Sequence, residues 1–287
     1  MIILVTGGAG FVGSHLCERL AMDKNNAVYS LDNYFTGSEK NHVDNVTYIK
    51  GSTFNIDGLV GFKPDLIYHF GEYSRVEQSF DDMDKVWKFN MEGTFAVLEF
   101  VRKTGAKIVY AGSSTKFADD RGGENASPYA WSKSTNTRLV KNYGDWYGID
   151  YAVAYFYNVY GKREIQAGKY ATVIALFKEK MKNGENLTVV SPGTQVRNFT
   201  HIDDTIDALL LIGEKGRGDE YGIGNPAGFT ILEVAKIFGG KIEMLPERRG
   251  NRMTARVVTD KTVKLGWNPR RNLKDYIEEM RRSNWRS

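Results

Sequence analysis

The sequence has very few of the features that mark secreted or membrane-bound proteins. Its 287 residues include one cysteine, Cys17, so no disulfide can form within the chain and a reducing compartment is expected. No apolar run approaches the roughly 20 residues that a membrane-spanning helix needs. Met1 leads straight into the short apolar run 2–5, without the basic start and longer apolar stretch of a signal peptide. We therefore expect a soluble, cytoplasmic protein without a membrane partner.

The chain also lacks a strong excess of either charge. Lys and Arg number 39 and Asp and Glu 35, which gives a formal net charge of +4. This balance suits an anionic small molecule, but it is too small to predict nucleic-acid binding. We expect neither a nucleic-acid partner nor a bound metal. The length favours one large domain or two closely packed ones.

A regular alternation of strand and helix patterns fills the first half. Strands are predicted at 2–5, 27–31, 46–50, 65–70, 107–111 and 151–156, and helices at 12–22, 85–102 and 127–147. Such alternation predicts a parallel sheet covered by helices on both faces. After Gly161 the pattern becomes less regular, with helices predicted at 172–183, 203–213, 231–238 and 273–281 and a short strand at 187–190.

A glycine-rich turn joins the first predicted strand to the first helix. Gly7, Gly10 and Gly13 have the spacing G-x-x-G-x-x-G. Residues without Cβ let the backbone approach a pyrophosphate, and the start of the helix offers free N–H groups and its positive dipole end. An ordinary strand-to-helix turn is the alternative. The strand before and the helix after favour a dinucleotide site.

An acidic residue, Asp32, ends the second predicted strand about 20 residues after the glycine turn, where it would accept hydrogen bonds from the adenosine ribose. Its charge would repel a 2′-phosphate, and no Lys or Arg follows before Lys40. This favours NAD over NADP. Asp32 alone would be an ordinary turn residue, and its register with the glycines makes it informative.

A second pattern, Y-x-x-x-K, places Tyr129 and Lys133 on one face of a predicted helix. A free tyrosine has a pKa near 10 and is a poor base, but a neighbouring ammonium stabilises the phenolate. Tyr129 could then remove a hydroxyl proton, with Ser113 or Ser114 bonding the same substrate oxygen. With 16 Tyr and 39 Lys and Arg residues, a chance match is the alternative. The order of glycine turn, acid, serine and Tyr/Lys favours catalysis.

With these motifs, nearly the whole chain resembles the extended short-chain dehydrogenase/reductase superfamily, specifically its sugar-nucleotide epimerases, dehydratases and decarboxylases. The segments 32–37, 68–71, 90–94 and 155–161 are similar to family motifs around the cofactor and the sugar. The resemblance implies an α/β fold: a Rossmann-type doubly wound parallel sheet with a smaller C-terminal α/β substrate-binding lobe. The implied cofactor contacts are Gly7, Gly10, Phe11, Val12, Gly13, Asp32, Asn33, Thr36, Gly37, Ser52, Thr53, Phe70, Gly71, Asn90, Ala111, Tyr129, Lys133, Phe156 and Val159.

The resemblance also implies how the chain divides and binds its substrate. Residues 1–163 would form the NAD-binding domain, with a returning segment near 195–225, and 164–287 would form mainly the substrate lobe. Asn158 and Ser114 would contact the sugar, and Arg197 and Arg248 the diphosphate, which a planar guanidinium bonds in pairs. The family commonly forms homodimers through its two long helices. Aromatic side chains on these helices suit such a face or the core equally well: Trp87, Phe95, Tyr143 and Trp146.

The chain departs from the family pattern at several positions. Thr115 stands two residues after Ser113, where dehydratases and decarboxylases usually carry an acid, and Phe117 replaces a tyrosine. The segment 51–53 lacks the usual aspartate facing adenine. Glu72 follows the fourth strand in an uncommon local sequence, and we expect it either to set substrate specificity or to pair with Arg75 across a turn.

These features predict an NAD-dependent enzyme that oxidises a nucleoside-diphosphate sugar, most often at C4, through a transient 4-keto sugar. Thr115 disfavours the standard dehydratase mechanism, so epimerisation is the favoured outcome. A 4,6-dehydratase using Glu72 as its acid, or a decarboxylase, is the alternative. A third class, a non-catalytic NAD-binding sensor, is less favoured because Ser113, Tyr129 and Lys133 are all present.

Overall fold

Seven parallel strands form the central sheet in the computed structural model, which describes residues 1–117, 123–166, 168–247, 253 and 256–285. The strands of the described chain are β1 Ile2–Thr6, β2 Ala27–Asp32, β3 Val46–Lys50, β4 Leu66–His69, β5 Lys107–Ser113, β6 Tyr151–Phe156, β7 Val159–Tyr160, β8 Leu187–Val190, β9 Val196–Asn198, β10 Thr200–His201, β11 Gly218–Ile223, β12 Gly228–Thr230 and β13 Ile242–Leu245. The sheet order is β11-β6-β5-β4-β1-β2-β3. The predicted Rossmann-type fold is confirmed.

Helices cover both faces of this sheet. They are α1 Phe11–Ala21, α2 Ile56–Leu59, α3 Met83–Val86, α4 Gly93–Thr104, α5 Pro128–Tyr147, α6 Val173–Asn183, α7 Ile202–Lys215, α8 Ile231–Phe238, α9 Asp260–Lys264 and α10 Leu273–Arg282. Helix α1 packs on α7 at one face, and α4 and α5 pack together at the other. The inner strands β1, β4, β5 and β6 are buried on both faces, as strands inside a covered parallel sheet require.

The two long helices follow from local sequence signals. The Ser127 hydroxyl caps α5 by accepting the Ala130 N–H at 3.1 Å. Pro128 occupies the first turn of α5, where a backbone N–H has no acceptor within the helix and its loss costs nothing. Gly148 ends α5 with a left-handed φ of 66°. The helix predicted at 85–102 is interrupted, because a π-helical turn at Trp87–Glu92 separates α3 from α4.

The outer faces of these helices expose aromatic side chains. Trp87, Phe95 and Trp146 are 48%, 53% and 60% exposed. Tyr143, by contrast, is buried and packs in the core between α5 and the sheet. The homodimer predicted from these helices stays a prediction. No helix of the described chain is both long and apolar enough to span a bilayer.

After β6 the chain builds a smaller lobe and then returns to the sheet. Two-stranded pairs β8·β13 and β9·β12, with α6, α8 and α10, enclose a separate core around Phe177 and Phe238. Between these elements, α7 and β11 rejoin the main body, where β11 pairs with β6. The lobe thereby covers the carboxyl ends of the parallel strands, where open α/β sheets bind ligands.

Candidate active site

A cavity of about 720 Å³ lies between the carboxyl edge of the sheet and the smaller lobe. The sheet side contributes the loops that follow β1, β2, β4 and β5 and the start of α5. The lobe side contributes α6, β8 and β9. All strands of the sheet run in the same direction, but the side on which successive strands are added changes between β1 and β4, so this cavity lies at the switch point of the strand order.

The glycine turn after β1 is too tight for side chains. Gly7 has a φ of +73°, and a Cβ there would lie 2.9 Å from the backbone of Phe70 and Gly71. A Cβ on Gly13 would lie 2.1 Å from the Gly7 carbonyl oxygen. Gly10 caps α1 and offers no side-chain acceptor to the first N–H groups of this helix. This cradle fits a pyrophosphate at the start of a helix.

Asp32 ends β2 beside this turn and is 6% exposed. Its carboxylate accepts the Ala9 N–H at 2.9 Å and the Tyr34 N–H at 2.8 Å. Burial raises the pKa of Asp32, and the two N–H bonds oppose that shift. A carboxylate offers about four acceptor positions, so Asp32 retains positions for ribose hydroxyls. The N–H groups at the start of α1 and the carboxylate of Asp32 therefore fit the pyrophosphate and the ribose of a dinucleotide.

Most of the predicted cofactor residues line the cavity, and three lie behind its wall. Ser52 accepts the Asn33 amide at 3.3 Å, and Thr53 packs behind the Gly71 backbone. Asn90 is fully buried and bonds both the backbone N–H and the carbonyl of Tyr73. These three residues shape the wall, and their direct contact with a cofactor stays a prediction. The lining members are Gly7, Gly10, Phe11, Val12, Gly13, Asp32, Asn33, Thr36, Gly37, Phe70, Gly71, Ala111, Tyr129, Lys133, Phe156 and Val159.

The predicted proton-transfer residues meet at one wall of the cavity. Tyr129 and Lys133 lie one turn apart on α5, and Ser113 lies at the end of β5. The Thr115 hydroxyl donates to Ser113 Oγ at 2.9 Å, so the Ser113 proton is available to another acceptor. Burial lowers the pKa of Lys133, and the Glu72 carboxylate opposes that shift.

Of the two alternatives considered for Glu72, the pair with Arg75 does not form, and the specificity role stays a prediction. Glu72 instead forms a buried ion pair with Lys133, and the two side chains are 3% and 5% exposed. Arg75 donates to the Tyr170 carbonyl at 2.7 Å and to Ser74. Burial of the Glu72 side chain against α5 explains the difference. A carboxylate removed from water needs a charged partner, and the buried Lys133 ammonium lies within reach of it.

The predicted substrate residues lie at the lobe side. Asn158 has a positive φ of 36° and donates to the Asn198 carbonyl at 3.1 Å. Arg197 donates to the Val196 carbonyl at 2.8 Å, which holds its guanidinium at the cavity wall. Ser114 follows Ser113 in the same wall. Arg248 lies outside the described residues. These roles stay predictions.

A polar clasp that the sequence did not reveal joins the loop after β4 to the smaller lobe. Asp82 is 3% exposed and accepts the hydroxyls of Tyr73 and Tyr170 at 2.9 and 2.7 Å. Lys85 and Lys169 also bond it. These four donors hold the pKa of Asp82 well below its usual range. Asp82 and its partner Tyr170 lie 88 residues apart, so no local pattern could have identified this group.

Within the described ranges, no group of three or more His, Cys, Asp and Glu side chains is placed to hold a metal ion.

Comparison with known proteins shows relatives along the whole chain. A model of the NAD dependent epimerase/dehydratase family matches residues 3–224. UDP-glucuronic acid decarboxylase 6 of Arabidopsis thaliana is 32% identical over 253 residues, which are 82% of this chain and 73% of the plant protein. The putative UDP-glucose 4-epimerase of Methanocaldococcus jannaschii is 30% identical over 304 residues, with 99% and 98% covered. The UDP-glucose 4-epimerase of Thermus thermophilus, solved in complex with NAD, has a TM-score of 0.90 at 26% identity, with 100% of this chain and 99% of that chain covered.

Proposed function

The chain belongs to the NAD dependent epimerase/dehydratase family and its cofactor is NAD, and from this premise we propose that it is an epimerase of a nucleoside-diphosphate sugar. The reaction would pass through a transient 4-keto sugar. Relatives named UDP-glucose 4-epimerase support this choice. Identity near 30% leaves the reaction to be argued from the residues of this site.

Three side chains would carry the proton transfer. Tyr129 removes the proton of the C4 hydroxyl as a phenolate, and Ser113 donates a hydrogen bond to the same oxygen. Lys133, one turn along α5, stabilises the phenolate by its charge. Bound NAD would supply the hydride chemistry at C4. Tyr129 would return its proton to the same oxygen once the sugar presents its other face, which would invert the ring carbon.

The substrate would enter across the smaller lobe. Arg197 suits the diphosphate, because its fork of N–H donors bonds phosphate oxygens in pairs. Asn158 lines the cavity between the lobe and the end of β6, where a sugar attached to that diphosphate would reach the α5 wall. The small positive net charge of the chain is compatible with such an anion.

The bond from Thr115 to Ser113 carries the choice of epimerisation over elimination. Loss of water across C5 and C6 needs an additional acid and base, and the position expected for the acid holds the Thr115 hydroxyl. This hydroxyl is used to orient Ser113 at 2.9 Å. Glu72 does not replace the acid, because every neighbour bonded to it donates a hydrogen bond: Lys133, Tyr110, Thr94 and Asn136.

Product analysis tests the proposal. NAD-loaded protein is incubated with a panel of nucleoside-diphosphate sugars, and products are analysed by mass spectrometry and proton NMR. We expect a product of unchanged mass with an inverted ring carbon. Loss of one water would refute epimerisation and favour a dehydratase. No product and no cofactor reduction with any sugar would favour an NAD-binding sensor. Tyr129→Phe should abolish turnover, and Tyr147→Phe, an exposed tyrosine outside the cavity, should retain it.

A decarboxylase is the second candidate, because the chain is 32% identical to a UDP-glucuronic acid decarboxylase. Arg75 supplies a matching observation: its guanidinium lines the cavity, and no carboxylate of the described residues forms an ion pair with it. Such a cation suits the carboxylate of a uronic sugar. Loss of carbon dioxide from a uronic substrate in the same panel would establish this activity, and an inverted uronic product of equal mass would exclude it.

A further inference from the structure

Glu72 is the buried charged residue beside α5 to which neither the proton transfer nor the substrate contacts give a role. We propose that Glu72 is a positioning residue whose carboxylate fixes the Lys133 ammonium and keeps the proton of the Tyr129/Lys133 pair on the lysine. The proposal rests on the function proposed above, because it concerns how that pair becomes a base. It concerns this chain's own residues and not a new ligand.

Four donors from three elements surround the carboxylate. Lys133 bonds Oε2 from α5, and Tyr110 bonds Oε1 from β5 at 3.0 Å. Thr94 of α4 bonds Oε1 at 3.0 Å, and Asn136 of α5 lies 3.4 Å from the same oxygen. The Lys133 ammonium also lies 4.4 Å from the centre of the Tyr110 ring. An ammonium has three N–H groups, so the bond to Glu72 leaves donors for other partners.

A buried hydrogen-bond chain fixes the direction of the Thr94 bond. The Thr6 hydroxyl accepts the N–H groups of Phe70 and Gly71, so its own proton goes to His69 Nδ1 at 2.8 Å. Burial lowers the pKa of His69 to about 4, so the ring is neutral near pH 7. Its Nε2–H then donates to Thr94 Oγ1 at 3.0 Å.

Thr94 also accepts the Asn136 amide at 3.1 Å, so both of its acceptor positions are filled. Its hydroxyl proton must therefore point to Glu72. All four neighbours donate to Glu72, so a proton on its side chain would face other donors. This arrangement excludes Glu72 as the acid of an elimination and leaves its negative charge to act on Lys133.

The charge decides where the pair keeps its proton. When the Tyr129/Lys133 pair loses one proton, the remaining one lies either on the lysine, which is the active phenolate form, or on the tyrosine. Two groups that share a proton in this way are described by the proton count of the pair and not by separate residues. A carboxylate in contact with the ammonium favours the active form. Other titratable groups facing the site are His69 of β4, Tyr110 of β5 and Arg75 of the following loop.

The substitution Glu72→Gln tests the inference through two opposite effects. Without the negative charge the pair loses its proton more easily, so the midpoint of the pH–rate profile for single-turnover cofactor reduction should move down by about one pH unit. At the same time less of the remaining proton lies on Lys133, so the plateau rate should fall about tenfold. A merely structural defect would lower the rate at all pH values without moving the midpoint, and that result would overturn the proposal.

A second variant should shift the midpoint of the pH–rate profile in the opposite direction, and it tests the inference even if Glu72→Gln does not fold. Tyr110→Phe removes one donor from the carboxylate but keeps the ring beside Lys133. The carboxylate then attracts the ammonium more strongly, so the midpoint should move up. A downward or absent shift would contradict the inference. Glu99→Gln is the matched control, because Glu99 also bonds a cation and a tyrosine but lies outside the cavity.

A titration without substrate separates this inference from the proposed function. The ultraviolet absorbance of tyrosinate is measured against pH in the wild type minus Tyr129→Phe, and in Glu72→Gln minus its own Tyr129→Phe version. We expect a lower midpoint and a smaller phenolate signal with Glu72→Gln, and identical curves would refute the positioning role. Absence of turnover with every sugar would instead refute the proposed function and leave this titration valid.

Discussion

Removing the charge of Glu72 should destabilise the fold, because the Lys133 ammonium would remain buried without its partner. The two side chains are 3% and 5% exposed, so water screens them little. Breaking one partner of such a pair costs roughly 3–5 kcal/mol. Glu99→Gln breaks an ion pair with Arg102 whose side chains are 27% and 42% exposed. That control should cost about 1 kcal/mol or less.

The defect of Glu72→Gln should also shrink as the pH rises. Burial lowers the pKa of Lys133 in the folded protein, and loss of Glu72 removes the charge that opposes this shift. The unfolded chain then binds more protons than the folded chain between the folded pKa and the ordinary lysine value of about 10.4. Stability therefore increases with pH through this window. The rate of hydride transfer in Glu72→Gln changes in the opposite sense: relative to the wild type it becomes lower as the pH rises, because the plateau rate of the variant is reduced.

Urea unfolding, followed by far-ultraviolet circular dichroism at about pH 7 and about pH 9, measures both effects. The double variant Glu72→Gln/Lys133→Met tests the cause, because it removes both charges and should recover most of the lost stability. A loss of less than about 1 kcal/mol with Glu72→Gln, comparable to an exposed pair, would refute the reasoning. So would a double variant that is less stable than Glu72→Gln.

Three further predictions follow from other contacts. Asp32→Asn should raise the dissociation constant of NAD about tenfold in a fluorescence titration, because a charged acceptor beside the ribose is lost; unchanged affinity would contradict the cofactor role. Asp82→Asn should raise KM for the sugar nucleotide more than it lowers kcat, since it loosens the clasp between Tyr73 and Tyr170; an equal loss in kcat and kcat/KM would count against it. Phe95→Glu, on a side chain 53% exposed, should convert a homodimer into monomers in analytical ultracentrifugation; a monomeric wild type would dismiss this interface.

The sequence was most informative where function depends on the local backbone. The spacing of Gly7, Gly10 and Gly13 predicts a turn that would place any Cβ on Gly13 2.1 Å from a carbonyl oxygen. Six strands of the central sheet, β1 to β6, were predictable for a related reason: inner strands buried on both faces appear as short apolar runs between turns. The edge strand β11 was not predicted, because the run GDEYGI is mostly polar. The helix at 85–102 was predicted as continuous, because apolar spacing does not reveal the π-helical turn at Trp87–Glu92.

The smaller lobe was harder to predict, because its strands pair over long distances. Strand β9 pairs with β12, and β8 with β13, and each strand is three or four residues long. Runs of this length carry too little periodicity to be distinguished from loops. The sequence could therefore predict that a smaller lobe exists, but not which side chains between α6 and β9 line the cavity. The domain limits predicted at 163 and 164 stay predictions.

Asp32 and Glu72 show why one site residue could be predicted and the other could not. Both are carboxylates at the carboxyl edge of the central sheet: Asp32 ends β2, and Glu72 lies in the loop after β4. Asp32 receives its bonds from the backbone of Ala9 and Tyr34, so its place is set by register with the glycine turn. Glu72 receives its bonds from side chains of α4, β5 and α5, up to 64 residues along the chain.

The difference in partners also separates the two roles. An acid bonded by backbone N–H groups keeps its position whatever the neighbouring side chains are, which suits a residue that must wait for a ligand. An acid bonded by Lys133, Thr94 and Tyr110 instead changes the charge state of its neighbours. A carboxylate in the loop after a buried strand of this fold therefore acts through the lysine of the facing helix, as a positioning group and not as an acid.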